Sequence, residues 1–195
     1  MTIIIAATRP GRAGLPIAEW FAALAGAHGE FDVAVADLAK IDLPLLDEPN
    51  HPRARQYTQE HTFRWSEIVD ASNAFVIVTP EYNHSYPATI KNALDYLHQE
   101  WNGKPVGFVS YGGVAGGTRA VQHLKQVVLP LRMKPIFESV SIPFHFQRIS
   151  DGTLRSDRTL DDAAEAMLNE LAAHTPAGEA PAHSPNGAAH NSHRL

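Results

Sequence analysis

No cysteine occurs anywhere in the chain. That absence excludes disulfides, thiol nucleophiles, iron–sulfur clusters and cysteine-based zinc sites, and it leaves the redox compartment open. Clusters of lysine and arginine are missing as well. Sixteen basic residues face 21 acidic ones, for a formal net charge of -5, so the electrostatic footprint of a nucleic-acid or anionic-membrane binder is lacking. The apolar run nearest the start, Ile3-Ile4-Ile5, ends by Ala7, has Arg9 close behind it and no basic segment before it. It is too short for a membrane span and wrongly flanked for a secretory signal, so the expectation is a cytoplasmic protein with small-molecule partners.

What is present suffices for one domain. A chain of 195 residues, 44% hydrophobic and 19% charged, builds one well-covered core but not two. Ile3 to Ala7 reads as a buried strand, and Ile17, Trp20, Phe21 and Leu24 then recur at the spacing of one helix face. Phe31 to Asp37 alternates as a second strand; three prolines, Pro44, Pro49 and Pro52, mark an irregular loop, and a helix is expected from about Ala54 to Ala71. Ala74 to Thr79 is a continuous apolar strand of the kind buried on both faces, followed by the helix stripe Ile90, Ala93, Leu94 and Leu97. A fourth strand (Val106 to Ser110), a helix (Val121 to Leu131), a fifth strand (Ile136 to Ile142) and a last helix from about Leu160 complete the pattern.

Strands alternating with helices imply right-handed crossovers and a parallel sheet covered on both faces. The expected fold is therefore α/β: a flavodoxin-like, doubly wound, five-stranded parallel sheet in a three-layer sandwich, over residues 1–174. From about Thr175 the composition shifts to Ala, Pro, Gly, His and Asn, so 175–195 is expected to be a disordered tail whose histidines are solvated.

In such sheets ligands bind beyond the carboxyl ends of the strands. The first loop there, Thr8-Arg9-Pro10-Gly11-Arg12-Ala13-Gly14, has the parts of a monophosphate site. Its glycines let backbone N–H groups converge, Thr8 offers a hydroxyl, and Arg9 or Arg12 offers charge-assisted donors. The helix starting near Leu15-Pro16 adds unsatisfied N–H groups, with Pro16 suited to a first turn because it needs no acceptor. The alternative is an ordinary turn with surface arginines. Other phosphate motifs are absent: there is no Gly-x-Gly-x-x-Gly, and the segment Gly112 to Thr118 lacks a Walker lysine. Phe108 stands where a hydrolase nucleophile elbow at Ser110 would need glycine, and Ala6-Ala7-Thr8 offers no acid for a phosphoacceptor site. The loops after the third strand (Pro80 to Ser85) and the fourth (Tyr111 to Thr118) suit a flat polar ring held edge-on by main-chain groups, Gly112 and Gly113 allowing close approach.

Two stretches resemble the NADPH-dependent FMN reductase family. Pro80-Glu81-Tyr82-Asn83-His84-Ser85-Tyr86-Pro87, continuing through Ile90 to Tyr96, is similar to the family's flavin-ring loop and following helix; Ser110-x-Gly112-Gly113-x-x-Gly116-Gly117-x-Arg119-Ala120 is similar to its second ring loop. Ala7-Thr8-Arg9 stands where the family usually has Ser-x-Arg or Ser-Thr-Arg, and a later serine is replaced by Arg12-Ala13-Gly14. The resemblance spans roughly residues 2–173. It implies FMN bound by Thr8, Arg9, Arg12, Gly14, Leu15, Pro16, Ile17, Pro80, Glu81, Tyr82, Asn83, Ser110, Tyr111, Gly112, Gly113 and Gly116, with no catalytic side chain and no metal. It further implies NADPH or NADH as co-substrate and a small-molecule electron acceptor such as a quinone, azo compound, metal oxyanion or flavin, in a homodimer or homotetramer. Hydride then passes from nicotinamide to flavin and on to the acceptor. Arg119, beside the second ring loop, is a candidate for the 2′-phosphate of NADPH. The other class of function compatible with these loops is an FMN-binding electron carrier or redox-responsive binding protein without nicotinamide turnover.

Overall fold

The computed structural model describes residues 1–175. The tail expected over 175–195 lies outside the described residues apart from Thr175. Five parallel strands, β1 (Thr2–Ile5), β2 (Ala34–Asp37), β3 (Phe75–Pro80), β4 (Pro105–Tyr111) and β5 (Lys134–Ile142), form one sheet in the order β2-β1-β3-β4-β5. The flavodoxin-like doubly wound fold read from the sequence is the fold observed.

The sequence builds two cores because side chains alternate across a pleated strand. In β1, Ile3 and Ile5 enter one core while Ile4 enters the other, and all three are at most 1% exposed. Helix α1 (Gly14–His28) and the last helix, α6 (Arg158–His174), cover the first face through Ile17, Phe21, Met167 and Leu171. Their close fit on β4 leaves no room for a side chain at Gly107, whose Cβ would stand 3.1 Å from the Met167 sulfur. Helices α3 (Glu60–Asp70), α4 (Ala88–Asp95) and α5 (Thr118–Val128) cover the other face through Trp65, Leu94 and Leu124. Each such buried large side chain contributes about 1.5–3 kcal/mol.

Three features depart from the sequence pattern. The helix expected from Ala54 begins only at Glu60, because the Glu48 carboxylate accepts the N–H groups of Thr58 (2.8 Å) and Gln59 (3.0 Å) and holds that segment extended. A one-turn helix, α2 (Leu38–Ile41), follows β2 directly, capped by Asp37. A small hairpin, β6 (Ile149–Ser150) with β7 (Thr153–Leu154), precedes α6. Its turn residues Asp151 and Gly152 both have positive φ, as a type I′ turn requires.

The strand order reverses between β1 and β3: the chain leaves β1 toward β2 on one side and resumes at β3 on the other. The crevice beyond their carboxyl ends is where a doubly wound sheet accepts a ligand.

Candidate functional site

The loops leaving β1, β3, β4 and β5 meet at this edge. Arg9, Arg12, Pro80, Tyr82, Gly112 and His145 face a shared groove whose enclosed part is about 70 Å³. That volume takes only the edge of a ring system, so a larger planar ligand lies along an open groove.

The first loop separates its two arginines. Arg12 Nη2 donates to Asp37 Oδ2 at 2.5 Å, a pair in which the Asp37 side chain is only 6% exposed. Asp37 is held in turn by the Ala39 N–H (3.1 Å) at the start of α2. The Arg12 charge is therefore met within the protein, while its Nε is buried without a partner among the described residues. Arg9 is exposed and has no ion-pair partner among the described residues. Helix α1 starts at Gly14 with no side-chain cap and no acid in its first turn. Of its first amides, Pro16 has none to give and Ile17 donates to the Ala13 carbonyl (3.4 Å) with its side chain in the core. Leu15 N–H has no hydrogen-bond partner among the described residues. Uncapped helix amides next to an unpaired guanidinium make an anion site.

Tyr111 lines that groove as well, although little of it is exposed. It is 3% exposed and runs beneath the loop, and a Cβ on Gly14 would stand 2.8 Å from its hydroxyl, so only glycine fits there. Burial, with the Tyr82 phenol adding, pushes the Tyr111 phenol well above its ordinary pKa, and it stays protonated. Its ring packs edge-on against His145, 5.0 Å between centroids.

The loop after β3 is a tight hairpin. Tyr82 and Ser85 exchange backbone hydrogen bonds of 2.8 and 2.9 Å, and Asn83 and His84 between them both have positive φ, again type I′ geometry. Pro80 is buried under the turn and Tyr82 is 39% exposed above it. Glu81 is the anchor rather than a free acid: its carboxylate takes Arg119 Nε at 2.6 Å and the Arg119 backbone N–H at 3.2 Å. The same contact ties up the guanidinium that the sequence offered for a 2′-phosphate.

The glycine loop after β4 is braced from below. Ser110 is 1% exposed and its hydroxyl donates to the Gly116 carbonyl at 2.9 Å, as does Ser141 at 3.1 Å. Gly116 has φ +58° and its Cβ would lie 2.2 Å from Ser141 Oγ. Gly112 is fully engaged: its N–H donates to Ile142 (3.2 Å) and its carbonyl accepts His145 Nδ1 (3.0 Å). Gly113 is exposed, with open space around it and an N–H that has no partner among the described residues. Gly113 N–H is thus one main-chain donor left for a ring edge.

The structure brings Arg9, Arg12, Pro80, Glu81, Tyr82, Tyr111 and Gly112 together on the groove, leaves Leu15, Asn83 and Gly113 exposed and buries Gly14, Ile17, Ser110 and Gly116, while Thr8 lines a separate cavity. Sequence reasoning missed Asp37 and His145. Both stand at or just past the carboxyl end of a parallel strand, which is the signal that finds them.

Fold and site together present a ligand groove beyond the carboxyl ends of the strands, with the unpaired Arg9 and the partly exposed Tyr82 on its walls. The pattern that defines the NADPH-dependent FMN reductase family matches residues 1–147. An NAD(P)H-dependent FMN reductase of Schizosaccharomyces pombe is 41% identical over 145 residues, 72% of each chain. A quinone reductase of Escherichia coli is 35% identical over 101 residues, 49% of this chain and 50% of that one. Among solved structures, the flavoenzyme NAD(P)H:(acceptor) oxidoreductase FerB of Paracoccus denitrificans superposes with a TM-score of 0.72 over 89% of this chain and 97% of that one, at 23% identity, a likeness of fold. The chain belongs to the NADPH-dependent FMN reductase family. It is an enzyme of the NAD(P)H-dependent FMN reductase type, with FMN as its cofactor.

Proposed function

We propose that the groove holds FMN with its phosphate at the start of α1 and its ring between the 80–85 and 112–117 loops, and that the enzyme passes hydride from NAD(P)H to a planar acceptor of the quinone class. The observation that carries the reading is the pattern of open groups. Arg9 lines the groove and has no ion-pair partner among the described residues, while Arg12 beside it is paired with Asp37, and Glu81 with Arg119. When bound, FMN supplies the two-electron chemistry, taking hydride from nicotinamide and giving it to the acceptor.

The chain itself positions. Arg9, Thr8 and the α1 amides hold the phosphate, and Arg12, fixed by Asp37, braces the loop that carries them. Glu81 and Arg119 lock the ring turn to α5, so Tyr82 has a defined place beside the ring. The Gly113 N–H meets negative charge at the ring edge without having to reorganise. The rim exposes Tyr82, Val114, Phe144 and Phe146, apolar surface that suits a flat conjugated acceptor better than an oxyanion. Homo-oligomeric assembly in the cytoplasm belongs to the same reading, and light scattering that returns only monomer contradicts the first part of it. Among the described residues no helix is long and apolar enough to cross a membrane.

The test is NAD(P)H oxidation by the FMN-loaded protein under argon with a quinone, an azo dye or chromate. Parallel double-reciprocal lines, fastest with the quinone, are expected. Bound FMN without nicotinamide oxidation would replace the enzyme by the carrier.

A further inference from the structure

A second, larger cavity of about 280 Å³ opens on the other side of Thr8, between the first loop, α2, residues 42–45 and the start of α4. It is close to the lower end of the roughly 300–1,000 Å³ range of small-molecule sites. Its walls are fixed. Asn92 Nδ2 donates to the Pro44 carbonyl (2.6 Å) and Asn92 Oδ1 accepts the Leu46 N–H (3.0 Å), which clamps the 44–46 segment to α4. Thr89 Oγ1 donates to the Ala6 carbonyl (2.5 Å), tying α4 to the end of β1. Leu38, Leu43 and Leu45 give the cavity an apolar wall, and Thr8 and Asp42 line it as polar side chains without hydrogen-bond partners among the described residues.

No lysine or arginine lines it. Lys40, although it belongs to α2, is exposed away from the lining. Of the cations on the neighbouring loops, Arg12 is paired with Asp37 and Arg119 with Glu81, and Arg9 lines the first groove rather than this cavity. A cleft with a leucine wall and one exposed carboxylate, Asp42, suits a nucleoside, its base against the leucines and its ribose hydroxyls donating to the acid. A ribose 2′-phosphate, by contrast, needs an arginine and is repelled by a carboxylate. β1 and β3 are adjacent strands, about 4.8 Å apart, so the cavity and the ring loops are neighbours.

We propose that this cavity takes the adenosine end of the nicotinamide dinucleotide and that Asp42 makes the enzyme prefer NADH to NADPH. The proposal rests on the FMN reading of the adjoining groove, and it departs from the nucleotide in the family's description.

The test uses the FMN-loaded full chain. Wild type is expected to show kcat/KM for NADH at least tenfold above NADPH. Asp42→Asn narrows that ratio at least fivefold through KM, and Asp42→Arg inverts it. Calorimetry with AMP is expected to show one site per chain, weakened by Asp42→Asn and blocked by Leu43→Trp with FMN affinity unchanged; adenosine 2′,5′-bisphosphate binds more weakly than AMP. A wild type that prefers NADPH, or a ratio that neither Asp42 variant moves, overturns the proposal. If neither dinucleotide is oxidised, the enzymatic reading fails, and the AMP titrations still decide the cavity: binding sensitive to Asp42 and Leu43 upholds it, and no binding overturns it.

Discussion

The two edges of the sheet treat polar groups in opposite ways. At the amino edge, buried Glu100 accepts the Tyr57 and Ser66 hydroxyls, both at 2.8 Å, and faces Arg55 Nε at 3.2 Å. Beside it Lys104 donates to the carbonyls of Val69 (2.7 Å) and Asp70 (3.3 Å). The cluster pins the irregular 48–59 segment to α3 and closes on itself. At the carboxyl edge the same fold leaves Arg9, the Leu15 N–H and the Gly113 N–H open, with paired supports such as Arg12–Asp37 and Glu81–Arg119 directly behind them. Closed networks mark where polar groups serve stability; open donors over closed supports mark where a ligand arrives.

The largest effect expected is at the amino edge. Glu100→Ala leaves the Tyr57 and Ser66 hydroxyls without their acceptor, Arg55 keeping Asp70 as its partner, and it should cost about 2–5 kcal/mol, a fall in Tm of roughly 10 °C, while the folded fraction binds FMN as before. A loss of FMN affinity in step with stability would erase the distinction between the edges. Within the glycine loop, Gly116→Ala forces a side chain into left-handed backbone and against Ser141, for a loss of about 2–4 kcal/mol. Gly113→Ala, in open space, should stay within about 0.5 kcal/mol by urea denaturation.

Arg9→Ala should weaken FMN by roughly 10- to 100-fold, the loss of a charge-assisted hydrogen bond of about 1.5–3 kcal/mol, and leave stability and riboflavin affinity alone. Arg12→Ala should first lower Tm, because Asp37 then keeps a buried charge without its cation. The reverse assignment of the two arginines would show in the same pair of titrations.

The smallest effect is in pH. Burial lowers Lys104 from 10.5 to about 8 in the folded protein. Between those values the unfolded chain binds more protons, so stability should rise by up to about 1 kcal/mol from pH 8 to 10, discounted for partial exposure, and Lys104→Met should flatten the rise. Above pH 10 the phenols of Tyr57, Tyr96 and Tyr111, all raised chiefly by burial, ionise more readily in the unfolded chain and stability falls. Denaturant midpoints measured across pH 7 to 11 check both limbs.

The strands and the edge that carries the site were legible in the sequence because apolar runs and turn residues are local signals. So was the cofactor, through the resemblance of the 80–96 and 110–120 stretches to the FMN reductase family. Pairing was not legible. Nothing local tells Arg9 from Arg12, since what separates them is Asp37, 25 residues away in sequence. Ser110 and Tyr111 enter the ligand contacts through the resemblance to the family's ring loop, and the local sequence does not tell that both are nearly buried or that the Ser110 hydroxyl donates to Gly116. The start of α3 was misplaced because Glu48 holds Thr58 and Gln59 extended from outside the segment.

The most direct measurement is a fluorescence titration of the purified protein with FMN and, separately, with riboflavin. The account predicts that FMN binds at least about 100-fold tighter, the share of affinity that a phosphate held by Arg9 and helix amides supplies. Equal affinity for the two would mean that the open donors of the first loop hold no phosphate, and the functional assignment of this edge would be wrong.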